Sequence, residues 1–342
     1  MKKLYNNKKH KLHSYRVSQK VLKYRKTFKY LHRKSLIYKS QIGKGKTHRI
    51  SFNKQQFQEH EKKKKIHIQA PSNFSIIDNI DEMLLLFNKI EKLTMQTEKI
   101  FLDLSIVERI TPESILYILS EFDYLKTTLN YLDISGNVPV NEECKSLFIQ
   151  SGYFDYVNSA NYTKNSNNNI LSIKSNNLVI GEIAQEVVEF SLNHIKPKSS
   201  PNNIYKTIIE CMANTNNHAY SNNNIPYSKW WLMATYNEKE NKVHFSFVDN
   251  GKSIPKTIKK KISDLSKDDG NILLSACDGK FQSSSKLKWR GTGLPKIKSY
   301  ADNSFIENLI IVSNKGYANI SKKKSIVLNN KFNGTLLSWD FI

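Results

Sequence analysis

Apolar and polar positions change rhythm along this chain, and the rhythm predicts its elements. In "SIIDNIDEMLLLFNKIEKL" (75–93) apolar residues recur at helical spacing, with Asp78 or Asn79 placed to cap the start. "KIHIQAP" reads as a short strand ended by Pro71, and "KIFLDLS" (99–105) alternates as a second strand. "PESILYILSEFDYLKTT" (112–128) is a helix with Pro112 in its first turn, where a missing N–H is tolerated. "NYLDISG" (130–136) gives a third strand, and "NEECKSLFIQSGYFDYV" (141–157) a further helix stopped near Gly152. The alternation over 66–157 predicts a small sheet with helices packed on it.

The polar, Asn-rich run "NSANYTKNSNNN" opens a stretch, 158–177, that reads as a linker, and 178–342 reads as a second domain. Its pattern predicts a helix over "GEIAQEVVEFSLNHI" (181–195) and another over about 202–219. "SKWWLMATYN" and "KVHFSFVDNG" form a hairpin around "EKEN" (238–241), with Trp230, Trp231, Phe245 and Phe247 in the core. A polar, Lys-rich stretch then runs from Lys256 to Lys288 before the glycine turn and short helix of "RGTGLPKIKSYAD" (290–302). "NLIIVSNKG", "KSIVLNN" and "GTLLSWDFI" close the chain as strands, which makes the whole an α+β protein.

Charge adds a third part. The net charge of +23 is concentrated in residues 1–65, which hold 22 Lys/Arg against Glu59 and Glu61. Such an arm attracts polyanions through counterion release, and its Tyr15, Tyr24, Phe28, Tyr30 and Tyr38 are suited to stacking on unpaired bases. The arm is therefore expected to be partly disordered or helical and to contact nucleic acid. Cys144, Cys211 and Cys277 lack metal-type spacing and read as buried thiols of a reducing compartment. No apolar run has the length of a membrane span and no signal-peptide core is present, so the expected location is cytoplasmic.

Chemistry enters at "IIECMANTNNHAY". Glu210, Asn214 and His218 recur every four residues and stay near one helix edge, while Ile208, Ile209, Met212 and Ala213 turn to the core. A carboxylate there can orient or deprotonate a water. An amide oxygen one turn on suits Mg²⁺, and His218 reads as a packing or capping residue at the helix end. Downstream, Asp249 ends a strand and Gly251 follows two residues later, an acceptor for an exocyclic amine beside a backbone open to a ring. "RGTGL" (290–294) then opens a helix whose N–H groups can hold phosphate.

The order E-x-x-x-N, D-x-G, G-x-G-L over about 178–342 resembles the GHKL ATPase superfamily, and "ECMANTNNHAY" is most similar to its anti-sigma-factor serine kinases. The resemblance implies a two-layer α/β sandwich, a mixed sheet with helices on one face, that binds ATP and Mg²⁺. It implies Glu210 as general base or water-positioning acid, Asn214 as Mg²⁺ ligand, and Asp249 as reader of the adenine amino group. It further implies Gly251 beneath the base, Arg290, Gly291, Thr292 and Gly293 near the phosphates, Thr335 near the adenine pocket, and 256–289 as a long unstructured ATP lid. Two positions depart from the family pattern: Ser253 stands at a usual glycine and Pro295 at another.

Residues 66–157 resemble, in degenerate form, STAS domains, through Asp103, Leu104, Ser105, Val107 and Ile110. In that pattern Thr111 and Ser114 of "TPES" are the available hydroxyls, more in keeping with loop and cap roles than with phosphorylation. The expectation is a Mg·ATP-binding regulatory ATPase whose nucleotide state controls docking of its domains or of a partner. The alternatives are a serine/threonine kinase of the anti-sigma type acting on a STAS domain, and an interaction module with an inactive pocket. A STAS-type or other protein partner and a homodimer are both open. Whether ATP is hydrolysed, transferred or only bound is not written in these motifs.

Overall fold

The computed structural model describes residues 64–96, 98–129, 132–157, 162, 167–196, 200–219, 228–259, 268–281 and 293–342. Residues 1–63 of the basic arm and Arg290, Gly291 and Thr292 lie outside the described residues, as does the side chain of His218. Residues Lys65–Thr128 and Leu132–Ile342 pack as one compact α+β unit.

Strands β1 (Ile66–Gln69), β3 (Ile100–Asp103) and β5 (Ile134–Gly136) form a parallel sheet in that order. β2 (Asn73–Phe74) and β4 (Arg109–Ile110) form a second, two-stranded parallel ladder. The crossovers are helices α1 (Ile80–Met95) and α2 (Pro112–Leu129), and α3 (Glu142–Gln150) follows β5. Asn141 caps α3 by accepting from the Cys144 N–H. Asn79 is the cap residue of α1, but its side chain makes no capping bond; it donates to the Asn73 carbonyl and to Glu82 instead.

The larger sheet has the order β6-β7-β8-β10-β9: β6 (Ile170–Asn176), β7 (Trp230–Asn237), β8 (Lys242–Asp249), β10 (Lys324–Phe341) and β9 (Ile306–Asn319). Every neighbouring pair is antiparallel, which corrects the mixed sheet expected from the sequence. Tight connections between β7 and β8 and between β9 and β10 enforce this, with Asn241 and Lys323 at positive φ. Helices α4 (Gly181–His194) and α5 (Pro201–Ala219), running out and back, return the chain from β6 to the end it left. β6 lies inside the stretch read as a linker: "ILSIKSN" is a half-buried edge strand amid asparagines.

One face of this sheet carries the main core. Trp230, Leu232 and Ala234 of β7, Val243, Phe245 and Phe247 of β8, and Leu337, Trp339 and Phe341 of β10 alternate inward. They meet Ala184 and Val187 of α4, Ile208 and Met212 of α5, Leu273 of α7 (Asp269–Cys277) and Ile297 of α8 (Gly293–Asp302). Helix α6 (Ile254–Lys259) runs into the start of the segment expected to be an unstructured lid, 256–289, and α7 lies within it. Asp268 caps α7, whose Ile272, Leu273, Ala276 and Cys277 are buried. That short apolar run, placed among lysines, docks the helix together with the buried Asp269, which pairs with Lys259 and accepts from the Lys315 N–H and Asn314.

The other face is covered by α1 and α2. Tyr117 stacks on Phe332 with ring centroids 4.3 Å apart. Glu113 is buried against the sheet, where its Oε1 accepts from His244 Nε2 (2.5 Å), Ser246 Oγ (2.9 Å) and Ser338 Oγ (2.7 Å). The opposite imidazole nitrogen meets Asp340 at 2.6 Å, and Asn308 donates to Asp340. Burial opposes charge here, but the attraction between Glu113 and His244 prevails: Glu113 is brought down to about 2 and His244 is pushed up to about 10. The result is a buried carboxylate–imidazolium–carboxylate bridge between the layers. Ser114, beside it, is buried and accepts from the Ile76 N–H at 2.8 Å, with the Thr111 hydroxyl 3.1 Å away.

Candidate functional site

On the helix-bearing face of the larger sheet, rows of paired residues run across the strands. Leu232, Phe247, Leu337 and Ile311 make one apolar row. The next row toward the end of β8 reads Trp230, Asp249, Thr335 and Ser313, and there the surface turns polar while staying buried. The Thr335 and Ser313 hydroxyls are 3.0 Å apart, and Ser313 Oγ accepts from the Ile254 N–H at 3.0 Å. Gly334 makes this row possible. It sits at φ +83°, and a Cβ there would fall 1.7 Å from the Asp249 carbonyl oxygen. Only a glycine lets β10 cross the end of β8 and set Thr335 opposite Asp249.

Asp249 Oδ1 accepts from the Gly251 N–H at 2.8 Å, closing the turn after β8. Burial pushes the Asp249 carboxyl up to about 7, against the hydrogen bond from the Gly251 N–H and the nearby Thr215 hydroxyl, which itself donates to the Cys211 carbonyl at 3.3 Å. A Cβ on Gly251 would lie 2.9 Å from Asp249 Oδ1 and 3.3 Å from Ser228 Oγ. The Ser228 and Ser253 hydroxyls are buried and have no hydrogen-bond partner among the described residues.

Thr215 ties this row to α5. On the same helix, Glu210 and Asn214 meet the first turn of α8. A Cβ on Gly293 would stand 2.8 Å from Glu210 Oε2 and 3.5 Å from Asn214 Nδ2, so glycine lets that turn approach the pair. Lys296 Nζ lies 3.8 Å from Glu210 Oε1. Between the two clusters is Cys211, a buried thiol whose pKa is raised by burial and then by the nearby Glu210 and Asp249. Such a thiol is no nucleophile.

The fold thus brings Glu210, Asn214 and Gly293 together, and likewise Asp249, Gly251 and Thr335, with α5 joining the groups. Arg290, Gly291 and Thr292 immediately precede Gly293 but lie outside the described residues. The adjoining Glu210 carboxylate and Asn214 amide fit the needs of Mg²⁺, which takes few protein oxygens and keeps waters. Among the described residues no group of three or more His, Cys, Asp and Glu forms a ready-made metal site.

Sequence reasoning missed Thr215, Ser228, Ser313 and Lys296. Ser313 left a trace, as the polar residue ending the apolar run "LIIVS" in β9. Ser228 left none. No described helix is long and apolar enough to cross a membrane. The chain matches no protein-family model, and a sequence search of curated proteins finds no match.

Proposed function

We propose that this site binds ATP with Mg²⁺ and that the protein is a regulatory ATPase of the GHKL type, built as a two-layer sandwich joined to a STAS-like layer. The observation that carries the reading is the convergence of three separated motifs on α5: the Asp249–Thr335 row through Thr215, and the start of α8 through Glu210 and Asn214. In this reading the adenine amino group donates to Asp249, with the Gly251 backbone against the ring. Asn214 would hold Mg²⁺, which would supply charge neutralisation at the phosphates, while Glu210 orients the attacking water. The start of α8, with Lys296 one turn in, faces the phosphates. The basic arm would hold nucleic acid, whose binding should weaken steeply with salt.

Hydrolysis is favoured over phosphotransfer to Ser114 of the chain's own "TPES" loop because that hydroxyl is buried and already accepts the Ile76 N–H. Calorimetric titration with ATP and Mg²⁺, with phosphate release measured in parallel, tests the proposal. Wild-type protein should bind and hydrolyse. Glu210→Gln should bind comparably and lose turnover by about 10²-fold or more. Absence of binding by the wild-type protein would overturn the reading.

A further inference from the structure

The middle residue of "DNG" does not face the candidate pocket. Asn250 is built into a ring of contacts that reaches α2 in the other layer. Its Oδ1 accepts from the Lys229 N–H at 2.8 Å, and its own N–H donates to the Lys229 carbonyl at 3.1 Å. Its Nδ2 donates to Asp123 Oδ2 at 3.1 Å, while Asp123 Oδ1 accepts from Lys229 Nζ at 2.6 Å. One carboxylate on α2 therefore holds both the start of β7 and the turn that ends β8.

Two residues earlier on α2, Glu121 accepts from Asn333 at 3.1 Å, and Asn333 immediately precedes the glycine that packs on the Asp249 carbonyl. Within the larger sheet's own layer the Lys229 N–H is the one group bonded to the Asn250 side chain among the described residues, and Asp123 holds its other end.

We infer that Asp123 is a positioning residue for the Asp249–Gly251 turn, so that docking of the N-terminal layer sets the shape of the nucleotide pocket. The link to nucleotide rests on the function proposed above; the link to the turn does not. Linkage makes the effect reciprocal: whatever strengthens α2 docking tightens nucleotide binding, and bound nucleotide tightens docking by the same factor.

Hydrogen exchange of the full-length protein, followed in peptides spanning 245–254, tests the positioning role without nucleotide. Asp123→Ala should speed exchange at the Asn250 and Gly251 amides by about tenfold, the scale of one lost charged hydrogen bond. Asp123→Asn keeps an oxygen for Lys229 or Asn250 and should recover most of the protection. Glu113→Gln loosens the far end of α2; it should lower the melting temperature and leave this segment's exchange near the wild-type rate. Unchanged exchange in Asp123→Ala, or an equal rise in Glu113→Gln, overturns the inference. In a calorimetric arm with ATP and Mg²⁺, Asp123→Ala should weaken affinity about tenfold. If wild-type protein binds no ATP, the proposed function falls, and the exchange result still decides the role of Asp123.

Discussion

Gly334 and Gly293 resemble each other in sequence terms, yet their surroundings predict different failures. A methyl group at Gly334 would meet rigid backbone at 1.7 Å, in a left-handed conformation. Gly334→Ala should therefore cost about 3 kcal/mol or more of stability, seen as a lowered midpoint in urea unfolding. At Gly293 the obstacle is the end of the flexible Glu210 side chain, 2.8 Å away. Gly293→Ala should change stability by less than about 1 kcal/mol while displacing Glu210, so phosphate release should fall more than the melting temperature. Asp249 gives a pH signature. Its carboxyl titrates at about 7 because it is buried, and an amine-donating ligand needs it ionised. ATP affinity should rise with pH up to about 7 and level off above it, and Asp249→Asn should abolish that slope in a calorimetric pH series. The motif residues were legible because glycines and acids at fixed spacing stand out. Thr215 and Ser313 were not, since a hydroxyl at a helix edge or strand end has the same local signature whether or not it faces a site.

Helix α2 was legible as a helix, but its purpose was not. Glu113, Tyr117 and Glu121 fall four residues apart and all are buried. In the sequence they pass for the polar edge of an exposed helix, because the partners that neutralise Glu113 lie more than 100 residues away, in β8 and β10. The opposite error occurred at α7, whose nine residues were submerged in a lysine-rich composition although it carries a buried apolar run. Two acids on α2 make opposite contributions to stability. Glu113 is depressed to about 2, so the stability it contributes is present above its ordinary value and lost as pH falls through about 2. His244, raised to about 10, contributes fully below its ordinary value and loses that contribution as pH rises through about 10. The bridge is thus at full strength between the ordinary carboxylate and imidazole ranges. Glu121 is raised to about 7 by burial, so its ionisation costs the folded state more as pH climbs from the carboxylate range to about 7. Glu121→Gln should remove that slope and raise stability at pH 8 by about 1–3 kcal/mol, measured by urea unfolding at several pH values.

Across the whole molecule, alternating βα and antiparallel patterns announced an α+β protein in two stretches. Periodicity is local, so it could not report that the stretches share one compact unit or that β6 arises inside an asparagine-rich run. The charged bridge of Glu113, His244 and Asp340 has a practical corollary for anyone handling the protein. A protease nick within 158–169 would sever the covalent connection and leave the clasp between the halves intact. The cut molecule should still travel through a sizing column as a single particle at neutral pH, where Tyr117 on Phe332 and Asp123 on Lys229 add to the clasp, and its hold should weaken when acid or strong base discharges the bridge.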